Sequence, residues 1–167
     1  CAIKFQYREL DTFIHPEYKE RQDLKYVKRF LETRISDEDR KRLRDEVKRL
    51  GLLAICTPFD EASVDTIEKH VYEVIKIGSC SFTDWPLLER IVKADKPIIA
   101  STAGASLDDI DNVVSFFEHR KKKFCISFPF TFMQRYHSPS FFAAASSSVV
   151  RIHFANSFRA ASSSDPR

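Results

Sequence analysis

Polar side chains follow short apolar runs at four places in this chain. Lys4 and Gln6 close the run at residues 2–6. Thr57-Pro58-Phe59-Asp60 follow the run at 52–56. Lys76-Ile77-Gly78-Ser79 close the run that begins at Val74. Ser101-Thr102-Ala103-Gly104 follow the run at 97–100. If these runs are parallel strands, their C-terminal ends share one rim, and ligands bind there in α/β proteins. Lys4 and Lys76 would offset the charge of a carboxylate or phosphate. Thr57, Ser79 and Ser101 would donate oriented hydrogen bonds. Such a rim suits an anionic, phosphate-bearing ligand.

The runs are short and almost wholly apolar, as in strands covered on both faces. A fifth run, at 124–128, follows the same pattern. Helical periodicity fills the intervals. Ser36, with Asp39 three residues on, caps a helix whose Leu43, Val47 and Leu50 share a face and which Gly51 stops. Asp60 precedes a helix that turns Val64, Ile67 and Val71 inward. Asp84 and Pro86 open another, carrying Leu87, Leu88, Ile91 and Val92. Ser106 and Asp109 open a fourth, with Leu107, Ile110, Val113, Val114 and Phe117 inward. A further helix is predicted over residues 23–33, and Trp85 is expected in the core. Strand–helix alternation predicts a parallel sheet. Periodicity alone leaves a barrel and an open doubly wound sheet both available. No GxGxxG follows the first strand, which disfavours a dinucleotide-binding sheet.

Composition narrows the class. The 167 residues are 43% hydrophobic and 31% charged, with a formal net charge of +3. Residues 1–127 hold 23 Lys+Arg and 23 Asp+Glu, a neutral body that argues against a nucleic-acid-binding face. Cys1, Cys56, Cys80 and Cys125 form no CxxC pair, and no His stands at zinc-finger spacing from them. They read as reduced thiols of a cytoplasmic protein. No run of 18 apolar residues indicates a membrane span. The chain opens at Cys1 with neither an initiator Met nor a leader-like segment, which predicts a piece of a longer protein. Residues 128–167 contain seven of the fifteen Phe and nine Ser, without Lys or Glu. The expected organisation is therefore a domain at 1–126 and an aberrant Phe/Ser-rich tail at 127–167, disordered or read in a wrong frame.

Four motifs in order carry a resemblance. They are Ile3-Lys4-Phe5-Gln6, Cys56-Thr57-Pro58-Phe59-Asp60, Ile75-Lys76-Ile77-Gly78-Ser79, and Pro97-Ile98-Ile99-Ala100-Ser101-Thr102-Ala103-Gly104. In these motifs the chain resembles the N-acetylneuraminate (sialic acid) synthase family. Pro86-Leu87-Leu88-Glu89 looks like the family's next helix. The resemblance implies a partial (β/α)8 TIM barrel, about strands 2–6, with the first strand and the C-terminal half missing. It implies condensation of phosphoenolpyruvate with an N-acylated amino sugar resembling N-acetylmannosamine, for surface polysaccharide. Lys4, Thr57, Lys76, Ser79 and Ser101 match the family's phosphoenolpyruvate contacts, with Lys4 and Lys76 as the catalytic pair. Gln6 matches a position on the amino-sugar side. A divalent metal, manganese or magnesium, and a homodimeric parent are implied too. The metal ligands are expected to be absent here, because His137 and His153 match neither ligand position.

The chain departs from the pattern after Lys-Ile-Gly-Ser. Many family members have Gly-Glu there, but this chain has Cys80-Ser81. A full barrel takes about 250 residues, so the chain is expected to have little activity alone. Two alternatives stay open. One is an aldolase-type barrel enzyme with a Schiff base on Lys76, and the other is a catalytically inactive fragment. Elsewhere simpler roles suffice. Gly78 and Gly104 read as turn glycines. His70 and His119 read as helix C-terminal residues that complement the dipole. Cys56 and Cys125 read as packed thiols.

Overall fold

A computed structural model describes residues 1–21 and 23–127. The tail beyond residue 127, with His137 and His153, lies outside the described residues. The described residues form five strands and seven helices, with at least one helix between successive strands. Strand β1 (Ala2–Tyr7) is followed by two short helices, α1 (Leu10–Phe13) and α2 (Pro16–Lys19). Then come α3 (Lys25–Glu32), α4 (Asp37–Arg49), β2 (Leu53–Pro58), α5 (Glu61–Lys69) and β3 (Val74–Ile77). A 3₁₀ turn (Ser79–Ser81) leads to α6 (Trp85–Lys93), β4 (Ile98–Ser101), α7 (Leu107–His119) and β5 (Phe124–Ser127). All strand pairs are parallel, in the order β1-β2-β3-β4-β5. Sequential parallel neighbours, each reached through helix, form an arc of a barrel and not a doubly wound sheet, whose strand order reverses.

The caps explain where the helices begin. Ser36 accepts from the Asp39 N–H, and Asp60 Oδ1 accepts from the Ser63 N–H at 2.7 Å. Asp84 caps α6 with Pro86 in its first turn, and Ser106 with Asp109 makes a full capping box. Each supplies an acceptor to an N–H that the helix itself leaves unpaired. Gly51 stops α4 with a φ of 70°.

Register sorts the strand residues onto two faces. One face carries Cys56, Ile75, Ile77, Ile98 and Ala100, all buried against Val64 and Ile67 of α5, Leu87, Leu88 and Ile91 of α6, and Val113 and Phe117 of α7. Phe117 stacks on Phe124 with centroids 4.6 Å apart, which fixes α7 to β5. At the other end of the same layer, the hydroxyls of Tyr7 and Tyr72 bond to each other, and the Arg40 guanidinium covers the Tyr7 ring. Burial pushes the Tyr7 hydroxyl up to about 12, despite its bond to Tyr72.

Some expected core positions face water. Leu43 and Leu50 are exposed, because α4 is rotated to bury Arg44 and Val47. Val71 is exposed where the chain leaves α5 at a φ of 56°, and the buried residue is instead Tyr72. Leu107 and Trp85 are exposed as the first residues of their helices, although Trp85 still meets Phe116 edge-on. Gly78 has a φ of −68°, so it is not a left-handed turn residue; Gly104, at 85°, is.

Candidate functional site

The second face of the sheet carries the chemistry. Pairing places Lys4 beside Ile55 and Gln6 beside Thr57. Ile55 pairs with Val74, so strand alternation puts Lys76 on this face too. Lys76 pairs with Ile99, Ile99 with Cys125, and Ser101 with Ser127. Thus Lys4, Gln6, Thr57, Lys76 and Ser101 all project from one side, towards the C-terminal rim. Ser79 sits just beyond that rim, exposed in the 3₁₀ turn. No Asp or Glu stands on this face in any of the five strands.

The electrostatics follow from that placement. Lys76 is half-buried, and burial lowers its pKa below the ordinary lysine value. The positive charge of Lys4 lowers it further, so the two ammonium groups are near enough to repel. Lys4 itself is exposed. Thr57 is only 2% exposed, and its Oγ1 has no hydrogen-bond partner. A buried hydroxyl without a partner is costly unless something occupies it. A Cβ at Gly78 would make ordinary contacts, 3.7 Å from Thr57 Cγ2, 3.6 Å from Cys80 Sγ and 3.9 Å from Phe59 Cε1. Thr57, Phe59, Gly78 and Cys80 are therefore neighbours at the rim.

Two residues join the rim that motif reading did not single out. Ser127 adds a hydroxyl in register with Ser101. Arg8 follows Gln6 at the next alternate position and donates to Gln6 Oε1 from both terminal nitrogens, at 3.3 and 3.4 Å. Its guanidinium lies 3.7 Å from the centroid of the Phe59 ring and 4.5 Å from that of Phe30. Burial lowers the Arg8 pKa, countered by the nearby Cys80 and Asp60. The signal for Arg8 was the alternation Lys4, Gln6, Arg8 continuing past the end of the apolar run.

Other residues have structural roles. His70 is buried, and its Nε2 lies 3.0 Å from Asp37 Oδ1, so a carboxylate acceptor holds it in addition to the helix end. Cys56 and Cys125 are buried thiols. Cys80 is exposed; among the described residues only Ser81 Oγ lies in hydrogen-bond range of its Sγ, and no histidine is paired with it. Thr102 is fully buried on the face opposite Ser101.

A divalent cation does not fit these residues. Among the described residues, no group of three or more His, Cys, Asp or Glu converges. The rim's two lysines and its arginine repel a cation.

The fold and rim define a parallel α/β barrel segment whose strands bring cationic and hydroxyl side chains onto one face. Residues 1–128 match the model of the NeuB family, and the chain belongs to that family. It is similar to a Chromobacterium violaceum protein assigned to spore coat polysaccharide biosynthesis, at 54% identity and a TM-score of 0.75, over 82% of this chain and 46% of that one. It is 35% identical to the N,N'-diacetyllegionaminic acid synthase of Campylobacter jejuni over 41% of this chain and 20% of that enzyme. The N-acetylneuraminic acid synthetase of Leptospira borgpetersenii shares the fold at 22% identity and a TM-score of 0.70, over 89% of this chain and 52% of that one. The chain spans about half the length of the solved relatives, and less of the curated ones. No helix among the described residues is long and apolar enough to cross a membrane.

Proposed function

We propose that this chain is the phosphoenolpyruvate-holding part of a synthase that joins phosphoenolpyruvate to an N-acylated amino sugar resembling N-acetylmannosamine. The product is a sialic-acid-type nonulosonate for surface polysaccharide. In that reaction C3 of phosphoenolpyruvate bonds to the aldehyde carbon, whose oxygen becomes a hydroxyl. Water adds at C2, and phosphate leaves. Lys4 and Lys76 balance the carboxylate and phosphate charges, while Thr57, Ser79 and Ser101 donate hydrogen bonds. Gln6 faces the sugar. The carrying observation is the gathering of Lys4, Thr57, Lys76 and Ser101 on one strand face, without a carboxylate among them. The name of the Campylobacter jejuni relative, a synthase, supports the same class of reaction.

The test is calorimetric titration of the 167-residue chain with phosphoenolpyruvate. Saturable binding that weakens with salt is expected. Absence of binding at millimolar ligand would end this reading. Turnover with N-acetylmannosamine and manganese is expected to be weak or nil, since the described residues do not assemble a cation site.

Thr57→Val separates ligand contact from folding. Its Oγ1 is buried without a partner, so losing it should leave the melting temperature unchanged or raise it. Phosphoenolpyruvate affinity should fall about 5- to 10-fold, the worth of one hydrogen bond. A lower melting temperature with unchanged affinity would assign Thr57 to the core.

The depressed amine of Lys76 also favours a second reading, because a neutral lysine amine can attack a carbonyl. An aldolase would then carry pyruvate on Lys76 as a Schiff base. Borohydride with pyruvate is expected to leave the mass of the chain unchanged. A reduced adduct mapped to Lys76 would favour the aldolase.

A further inference from the structure

We infer that Arg8 is a third ligand-binding cation of the rim, reading an oxyanion, either carboxylate or phosphate, on the molecule held there. The inference rests on the proposed function only in assuming that a ligand occupies this rim. Arg8 is built into place. Its planar group lies against Phe59 and near Phe30, and Gln6 Oε1 accepts from both terminal nitrogens. It makes no ion pair among the described residues. The nearby carboxylate of Asp60 is committed elsewhere: its Oδ2 accepts from the Glu9 N–H at 2.8 Å, and its Oδ1 from the Ser63 N–H. Beyond its bonds to Gln6, the guanidinium thus carries a charge that no carboxylate pairs among the described residues. Flanking rings reduce the rotamer freedom it must give up on binding. A planar fork held this way suits a planar or tetrahedral oxyanion better than a neutral hydroxyl.

Two sources of oxyanion are possible, and titration separates them. The 167-residue chain and its Arg8→Met and Arg8→Lys variants would be titrated with phosphoenolpyruvate, N-acetylmannosamine, N-acetylmannosamine 6-phosphate and inorganic phosphate. Melting temperatures would be recorded alongside. Arg8→Met keeps an apolar stem between the rings and removes the charge. It is expected to weaken one anionic ligand by about 10-fold or more, the worth of a charged hydrogen bond, with a melting temperature near the parent's. Arg8→Lys should recover part of that loss. A selective loss of phosphoenolpyruvate affinity assigns Arg8 to that substrate. A selective loss for the sugar phosphate, with N-acetylmannosamine unchanged, assigns it to an anionic acceptor. If Arg8→Met changes no anion's affinity while Lys76→Met weakens phosphoenolpyruvate binding, the Arg8 inference is wrong and the proposed function stands. If the parent chain ignores phosphoenolpyruvate but binds the sugar phosphate or inorganic phosphate through Arg8, the proposed function is wrong and Arg8 stands. If the parent binds no anion, both fall.

Discussion

Lys76→Met is expected to weaken phosphoenolpyruvate binding by about 10- to 100-fold, the range for losing a charged hydrogen-bond partner in a partly desolvated site. Met keeps the length and apolar stem of lysine, so the loss should reflect charge alone. The pH dependence has a definite sign. In the free chain, burial and Lys4 hold the Lys76 pKa below that of an ordinary lysine. A bound anion raises it. Binding is therefore strongest below the free-chain pKa and declines as pH rises through the bound-state pKa, with proton uptake between the two. The Met variant should lose the part of this pH dependence due to Lys76. Calorimetry in buffers of different ionisation enthalpy measures the uptake directly. Equal affinity in parent and variant, with no proton uptake, would remove Lys76 from the site. The same shift acts on folding. Within the window between the folded and unfolded pKa values, the unfolded chain binds more protons, so the Lys76 contribution to stability improves as pH rises.

Phe117→Ala should have the largest effect on stability, costing about 3–5 kcal/mol as expected for a buried aromatic truncated to Ala. Phe117 is fully buried, stacked on Phe124 and edge-on to Phe116 at 5.1 Å. Truncation removes both ring contacts and leaves a cavity between α7 and the sheet. The urea midpoint should drop sharply, whereas Phe117→Leu should lose much less. Ligand affinity should suffer too, because Phe117 anchors β5, whose Ser127 pairs with Ser101. A change under about 1 kcal/mol would mean that α7 is loosely attached.

Much of this architecture was legible in the residues, for physical reasons. Asp84-Trp85-Pro86 could only open a helix, because it offers a cap acceptor and then a residue that needs no donor. Leu87, Leu88, Ile91 and Val92 then had to face the sheet. The polar residues closing each run were equally readable, since period-two alternation decides which of them share a side. Less legible was the rotation of α4. Leu43 and Arg44 are adjacent in the helix, and burial of the arginine, whose guanidinium pairs with Asp45, reverses the order that hydrophobicity suggests. The short helices α1 and α2 left no periodic trace, being about one turn each. Arg8 lacked a motif of its own, and the rings that flank it, Phe30 and Phe59, stand twenty-two and fifty-one positions away.

The alternation of side chains along each strand divides this sheet into two inheritances. Odd and even neighbours such as Ile75 and Lys76 answer to different pressures, one set by crowding among helices and the other by whatever molecule arrives at the rim. Variation can therefore revise what is recognised, one alternate position at a time, while the scaffold beneath keeps its shape.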